Sequence, residues 1–276
     1  MIRHQKVVPL VGVFLVLGFL GWGLSQLGPT NLLPHKENKN RFFKRGPLPD
    51  LSGERSIHRR KVRFFKYLMP MVQFENRRLA DIRQRLVYIQ ECFRLGHELS
   101  PGDQMWFDGI LVEFRLANLD PSATGFWPTV FRRVDQIPVN LVLVQAANES
   151  AWGTSRFARE GNNLFGQWCF TPGCGMIPED RAQGEIYEVA KFDTIAHAVA
   201  AYMRNLNTGH AYGRLREIRA EKRRQGKVAT AEDLARGLIR YSQRREDYVS
   251  ELLAMLRVNA PIINEIRSSG PDKPEA

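Results

Sequence analysis

Residues 142–166 read VLVQAANESAWGTSRFAREGNNLFG, and the rest of the chain can be placed around them. Pro138 lies just upstream and suits a first helical turn, where its missing N–H is no loss. The apolar run that follows, at helical spacing, predicts a buried helix from about Val139 to Asn148. Gln145 and Glu149 are four apart and fall on one face at its C-terminal end. Gly153 ends the helix and Trp152 offers an apolar wall, so Glu149 is expected beside an indole, partly stripped of water. A carboxyl group so placed has its pKa pushed up, stays protonated near neutral pH and can donate a proton. That is the property a glycosidase's general acid needs. A solvated or salt-bridged Glu at a helix end is the alternative reading. Thr154 or Ser155 is expected to cap a short helix that stops at Gly161, with Asn162, Asn163, Phe165 and Gly166 in the following turn. Paired amides beside an aromatic ring suit the gripping of a sugar.

Resemblance sharpens this. The pattern of Gln145, Ala146, Ala147, Glu149, Ser150, Trp152, Gly153, Thr154 and Ser155, followed by Asn162 to Gly166, resembles the glucosaminidase domains of glycoside hydrolase family 73. Those domains cleave the glycan strands of peptidoglycan, and they usually carry Gly where Ala151 stands. YMRNLNT at Tyr202–Thr208, with Tyr212 soon after, is similar to the Bax-type subgroup, and the likeness spans roughly residues 134–259. The resemblance implies a mostly α-helical, lysozyme-like domain with a small β-lobe. It also implies hydrolysis of the β-1,4 bond after N-acetylglucosamine, with Glu149 as acid and Tyr212 in the cleft; a core aromatic is the other reading of Tyr212. Gln145, Trp152, Asn163, Phe165, Tyr202, Asn205 and Tyr241 are the expected substrate-binding residues.

A second carboxylate should face Glu149, about 6.5–9.5 Å away as a base that activates water or about 5–5.5 Å away as a nucleophile. The family places a second functional Glu in the β-lobe, where this chain offers Glu179, Asp180, Glu185 and Glu188. Glu188, flanked by Tyr187 and Val189, is the first choice and Glu185 the next. Assistance from the substrate's own acetamido group is a third route. A lytic transglycosylase and a non-catalytic, membrane-tethered wall-binding protein remain alternative functions.

The β-lobe is expected over residues 167–192, where glycines and prolines separate short runs such as EIYEVAK at 185–191. Cys169 and Cys174 bracket a four-residue loop and admit a disulfide, free thiols or a metal site, although Cys92 is the only other thiol to serve a metal. No metal or cofactor is expected: the chain has no Gly-rich phosphate loop and no HExxH motif.

The chain has 276 residues and is 43% hydrophobic, enough for one main core. Forty basic against 29 acidic residues, net +11, point to an anionic partner. Peptidoglycan fits; nucleic acid is not expected, since no recognition motif is present. Val7–Leu27 is an uncharged apolar run, long enough for the roughly 30 Å core of a bilayer. It reads as a signal-anchor, or a signal peptide, that would hold the protein at the inner membrane on its periplasmic side. Residues 28–60 read as a basic, Pro-containing linker.

Residues 61–125 are expected as a helical extension: an amphipathic pair led by Phe64, Phe65, Leu68 and Met71, then another helix started by Ser100 and Pro101. Arg77, Arg78, Arg83 and Arg85 are expected on a solvated face. The glucosaminidase domain is placed at 126–262. Within it Trp127–Asp135 opens a short helix, Asp193 or Thr194 caps a helix to Leu206, Arg214–Arg224 is a solvated basic helix, and Thr230 with Asp233 caps another to about Ile239. A last amphipathic helix from about Asp247 to Val258 and a polar tail at 263–276 complete the chain.

Overall fold

The computed structural model describes residues 47–269 except 52, 180 and 182. The expected membrane segment, most of the linker, Asp180 and the end of the tail lie outside the described residues. No helix among the described residues is long and apolar enough to cross a membrane.

The fold is mainly α-helical with one small sheet. Helix α1, Ile57–Leu95, runs for 39 residues. Ser56 caps its start by accepting from the Arg59 N–H, and left-handed Gly96 closes its end, with the His97 N–H donated to the Cys92 carbonyl. The expected pair is thus one helix that passes straight through Pro70. A proline costs about 3 kcal/mol inside a helix. Here Phe64, Phe65, Leu68, Met69, Met71 and Val72 are buried on both sides of it, and burial of each such side chain is worth about 1.5–3 kcal/mol. Burial outweighs the lost backbone bond.

Helices α2 (Pro101–Glu113) and α3 (Phe126–Arg133) pack along α1 through Phe93, Phe107, Phe126 and Trp127, with the Phe107 and Trp127 rings stacked at 5.8 Å. Arg77 is exposed, as expected, but Arg78, Arg83 and Arg85 are not on a solvated face. Arg78 bonds Glu75 and Glu113, Arg83 donates to the carbonyls of Phe131 and Val134, and Arg85 reaches Asp103 and covers the Trp106 ring at 4.2 Å. They tie α1 to its neighbours through partners far away in sequence.

Helix α4, Val139–Glu149, is the centre: every residue from Leu141 to Ala147 is buried. α1 packs on it, as do the short α8 (Ala231–Ala235) and the long α9 (Arg245–Ser268). Around them come α5 (Arg156–Gly161), α6 (Ile195–Thr208), a 3-10 turn at His210–Tyr212 and α7 (Gly213–Arg224). Helix α9 runs well past its expected end. It continues through Pro261 because Ile263 and Ile266 are buried, so the expected polar tail begins as helix. The capping box of Thr230 and Asp233 is present, but α8 stops at Ala235, earlier than expected.

The sheet has order β1-β3-β2 and is antiparallel, with β1 at Trp168–Cys169, β2 at Gly175–Met176 and β3 at Glu188–Ala190. A Cβ on Gly175 would meet the Val189 carbonyl oxygen at 2.1 Å, so only glycine allows this strand approach. Cys169 and Cys174 form a disulfide, which resolves the three readings of that pair; Cys92 is buried and free.

The basic helix α7 also departs from expectation. Arg219 is 4% exposed and donates to the carbonyls of Arg132, Asp135 and Gln136 and to Asn207. Arg223 holds Asp135 from the same helix, with Nε 2.6 Å from Oδ2. Asp135 therefore fastens the α3–α4 junction to α7, and Asn207 extends the link to α6.

Candidate active site

Glu149 is the last residue of α4, and its backbone neighbours make an unusual turn. Ala151, Trp152 and Gly153 all have left-handed backbones, with φ of 50°, 60° and 80°. Ser150 holds the turn: its hydroxyl donates to the Ala146 carbonyl at 2.6 Å and accepts from the Gly153 N–H at 2.8 Å. Gly153 fits because a Cβ there would lie 2.7 Å from Leu48 Cδ2. A side chain in the left-handed region costs about 1–2 kcal/mol, and such strain gathers at functional sites. Ala151 carries this strain while exposed, its carbonyl accepting from Thr154. Ala151→Gly should raise the unfolding free energy by about 0.5–1 kcal/mol, strain relief minus added chain entropy; equilibrium denaturation checks it, and a loss of stability would contradict the strain.

The turn sends the Trp152 ring onto α1, edge-on to Phe64 at 5.8 Å and Phe65 at 5.3 Å, with Lys61 Nζ 5.3 Å over it. Trp152 anchors the turn. The aromatic group bonded to Glu149 is Tyr248 of α9, which donates its hydroxyl proton to Oε1 at 2.8 Å.

Behind that bond runs a buried relay. Gln145 is fully buried; its amide nitrogen donates to the Tyr248 hydroxyl at 2.8 Å, and its oxygen accepts from Tyr202. Tyr202 stacks on Phe165 at 3.9 Å, and Tyr241 stacks on Tyr248 at 5.4 Å while donating to the Phe165 carbonyl at 2.9 Å. Gln145, Tyr202 and Phe165 were expected to touch substrate. They are instead buried supports that aim Tyr248 at the carboxyl.

Asn163 is likewise a knot. Its nitrogen donates to the carbonyls of Gln167 and Ala190, and its oxygen accepts from the N–H groups of Phe165 and Gln167. All its capacity is used, so it fixes the β-lobe to the turn after α5 rather than holding a sugar. Asn162 caps α5 in the left-handed region and donates to Phe192.

Among the β-lobe carboxylates, Glu188 is buried and accepts from the N–H groups of Gly173 and Gly175 at 2.9 and 2.7 Å. Those bonds hold its pKa below the usual carboxylate range. It clamps the disulfide loop, and both of its oxygens are taken. Glu185 is exposed, and Glu179 is exposed with Arg156 at 3.7 Å. Cys169, Cys174 and Glu188 cluster closely enough to hold a metal, but the disulfide removes both thiolate ligands.

Burial raises the pKa of Glu149; the bond from Tyr248 and the charge of Arg244 pull it back only in part, and Glu251 pushes it up further. Because Oε1 accepts from Tyr248, the acid proton belongs on Oε2. Tyr212 is half-buried, tilted at 5.9 Å from Tyr241, and its hydroxyl makes no hydrogen bond among the described residues. Burial and the charge of Glu149 raise its pKa, so it remains a donor. Asn205 is half-buried at the end of α6, against the turn at Gly209.

Tyr248→Phe removes the bond that favours ionised Glu149. The Glu149 pKa should rise, and the alkaline limb of the pH–rate profile, which reports loss of the acid proton, should move to higher pH. An unmoved limb would remove Tyr248 from the titration.

A half-buried carboxyl at a helix end, its pKa raised by burial, has the property a glycosidase's general acid needs. The comparisons agree. A family profile described as mannosyl-glycoprotein endo-beta-N-acetylglucosaminidase matches residues 131–260. The chain is 32% identical over 228 residues to the protein called Protein bax of Escherichia coli (strain K12), covering 83% of this chain and 80% of that one. No solved structure matches it. The chain belongs to the glucosaminidase family, as a Bax-type member.

Sequence reasoning missed Tyr248 as the partner of Glu149. It also missed Trp168, which is 55% exposed and stacked on Tyr187 at 4.5 Å. The available signal was weak: one aromatic among several in a Gly- and Pro-containing stretch.

Proposed function

We propose that the protein is a peptidoglycan hydrolase, an endo-β-N-acetylglucosaminidase that cuts the β-1,4 bond following N-acetylglucosamine. The observation that carries this is the state of Glu149: desolvated, with raised pKa, one oxygen fixed by Tyr248 and the other left to protonate the leaving oxygen. Tyr212, with its free hydroxyl beside the acid, is assigned to the sugar's acetamido group. The exposed Trp168–Tyr187 pair offers an apolar face of the kind a pyranose ring packs on. The basic balance of the chain suits a wall polymer that carries carboxylates.

The test is to incubate the chain from residue 47 onward with purified peptidoglycan, beside Glu149→Gln, and to identify the released ends by mass spectrometry. Reducing N-acetylglucosamine ends from the wild type alone are expected. Anhydro-muramic ends would replace this reading with a lytic transglycosylase, and binding without cleavage would replace it with a wall-binding protein. For location, we propose that Val7–Leu27 tethers the enzyme to the inner membrane on its periplasmic side. Release of the full-length chain by osmotic shock alone would argue against the tether.

A further inference from the structure

Four arginines gather where α2, α3 and α7 come together: Arg115 just past the end of α2, Arg132 and Arg133 in the last turn of α3, and Arg216 on α7. Arg133 Nη1 donates to the carbonyls of Phe114 and Arg115 and feels the charges of Arg115 and Arg132. Arg216 in turn feels those of Arg133 and Arg132. None of the four forms an ion pair among the described residues. Asp135 belongs to Arg83, Arg219 and Arg223, and Glu217 pairs with Arg214 at 3.3 Å, so that only its charge reaches Arg216.

Like charges so placed oppose one another. Burial lowers the pKa of Arg133 and of Arg216, and the neighbouring guanidinium groups lower each further. Arg133 and Arg216 have a structural duty, since they spend donors on main-chain carbonyls. Arg115 and Arg132 are exposed, and Arg132 reaches Thr129 Oγ1 at 3.3 Å. Arg115 also has a left-handed backbone, with φ of 58°, at a position after a helix where glycine is favoured. A guanidinium stands there at a conformational cost, and such cost gathers at functional surfaces.

The patch adjoins the cleft. Arg216 Nη1 donates to the carbonyls of Leu206 and Gly209 at 3.0 and 2.8 Å, and Gly209 opens the 3-10 turn that carries Tyr212, which feels the charge of Glu149. We propose that Arg216, Arg133, Arg132 and Arg115 form a docking track for the carboxylates of the peptides borne by a glycan strand in the cleft; this rests on the glucosaminidase reading. Guanidinium forks match carboxylates in geometry as well as charge. A surface of one sign beside a cleft also concentrates a polymer of the other. Continuity with the Tyr212 turn favours the substrate itself over nucleic acid or lipid headgroups as the source of the charge.

The experiment compares soluble peptide-bearing glycan strands with the same strands after their carboxylates are converted to methylamides. At low salt the wild type should show the lower KM on the carboxylate form, and the gap should close as salt screens it. Arg115→Gln/Arg132→Gln removes two exposed charge pairs, so KM on the carboxylate form should rise about two- to thirty-fold and the gap between substrates should narrow. The paired change to Lys keeps the charge and should hold KM within about twofold of wild type. Equal wild-type KM on both substrates, an unmoved KM in the Gln pair, or an equal loss in the Lys pair would each overturn the track while leaving the hydrolase reading intact. A Gln pair that keeps its KM but loses binding to a short DNA duplex or to anionic lipid vesicles would overturn it in favour of a phosphate-bearing partner. If the wild type cuts neither substrate, the hydrolase reading falls; co-sedimentation with insoluble wall then reads the track alone, and equal retention of wild type and Gln pair would overturn that too.

Discussion

Glu149→Gln is expected to lose about a hundred- to ten-thousand-fold in turnover and, at neutral pH, to melt higher than the wild type. The two effects share one cause. Burial is the chief reason the Glu149 pKa is raised, so the folded protein prefers the protonated acid. A group with a raised folded-state pKa contributes stability that is complete below its unfolded value, near 4.3 for Glu, and is lost as pH rises through the folded value. Glutamine has nearly the shape of the protonated acid and does not titrate. Its oxygen still accepts from Tyr248, so the relay through Gln145 and Tyr202 persists. The variant should match the wild type near pH 4 and gain on it progressively toward pH 8. Thermal melts at both pH values, with turnover on peptidoglycan, check this. Equal differences at the two pH values would mean that Glu149 is not a strained carboxyl in the folded state, and the acid assignment would lose its physical basis.

The position of Glu149 at the end of a buried helix was legible because it rests on local pattern, the apolar spacing up to Ala147. The disulfide was open to the sequence only as one of three possibilities, and geometry chose. What the sequence hid was pairing across distance. Tyr248 is 99 residues from Glu149 and Gln145 is 103 from Tyr248, and no local rule brings them together. The polar residues of the central motif were assigned to substrate because they are polar. Gln145 and Asn163 instead spend their amides on buried tyrosines and carbonyls, where unsatisfied groups would be costly. Arg83 and Arg219 failed in the same way: a basic residue on an amphipathic helix reads as solvated until a distant acid or carbonyl is seen to claim it.

Asp135→Ala should be the most destabilising single change, because of what it leaves behind. Asp135 is 1% exposed; Arg83 and Arg219 approach it at 3.8 and 3.6 Å, and Arg223 clasps it with two nitrogens. Those are three guanidinium groups on one carboxylate. Burial lowers the Arg219 pKa to about 10 even with Asp135 present. Removing one partner of a buried pair costs about 3–5 kcal/mol, since the other charge is left uncompensated, and at about 2–4 °C per kcal/mol that is a fall of roughly 6–20 °C in Tm. The wild type carries its own check. Burial works to raise the Asp135 pKa, but the bond from Arg223 and the charges of Arg219 and Arg83 prevail and hold it low. Its contribution is therefore present above the unfolded value, near 3.9, and is lost as pH falls through the folded one. The gap in Tm between wild type and Asp135→Ala should be wide at pH 7 and shrink in strong acid. Asp135 lies just before α4 and Glu149 ends it, about 16 Å away along an 11-residue helix. Turnover per folded molecule at low temperature should consequently stay within a few-fold of wild type. A variant that kept its Tm but lost turnover would reverse the roles given to the two ends of the central helix.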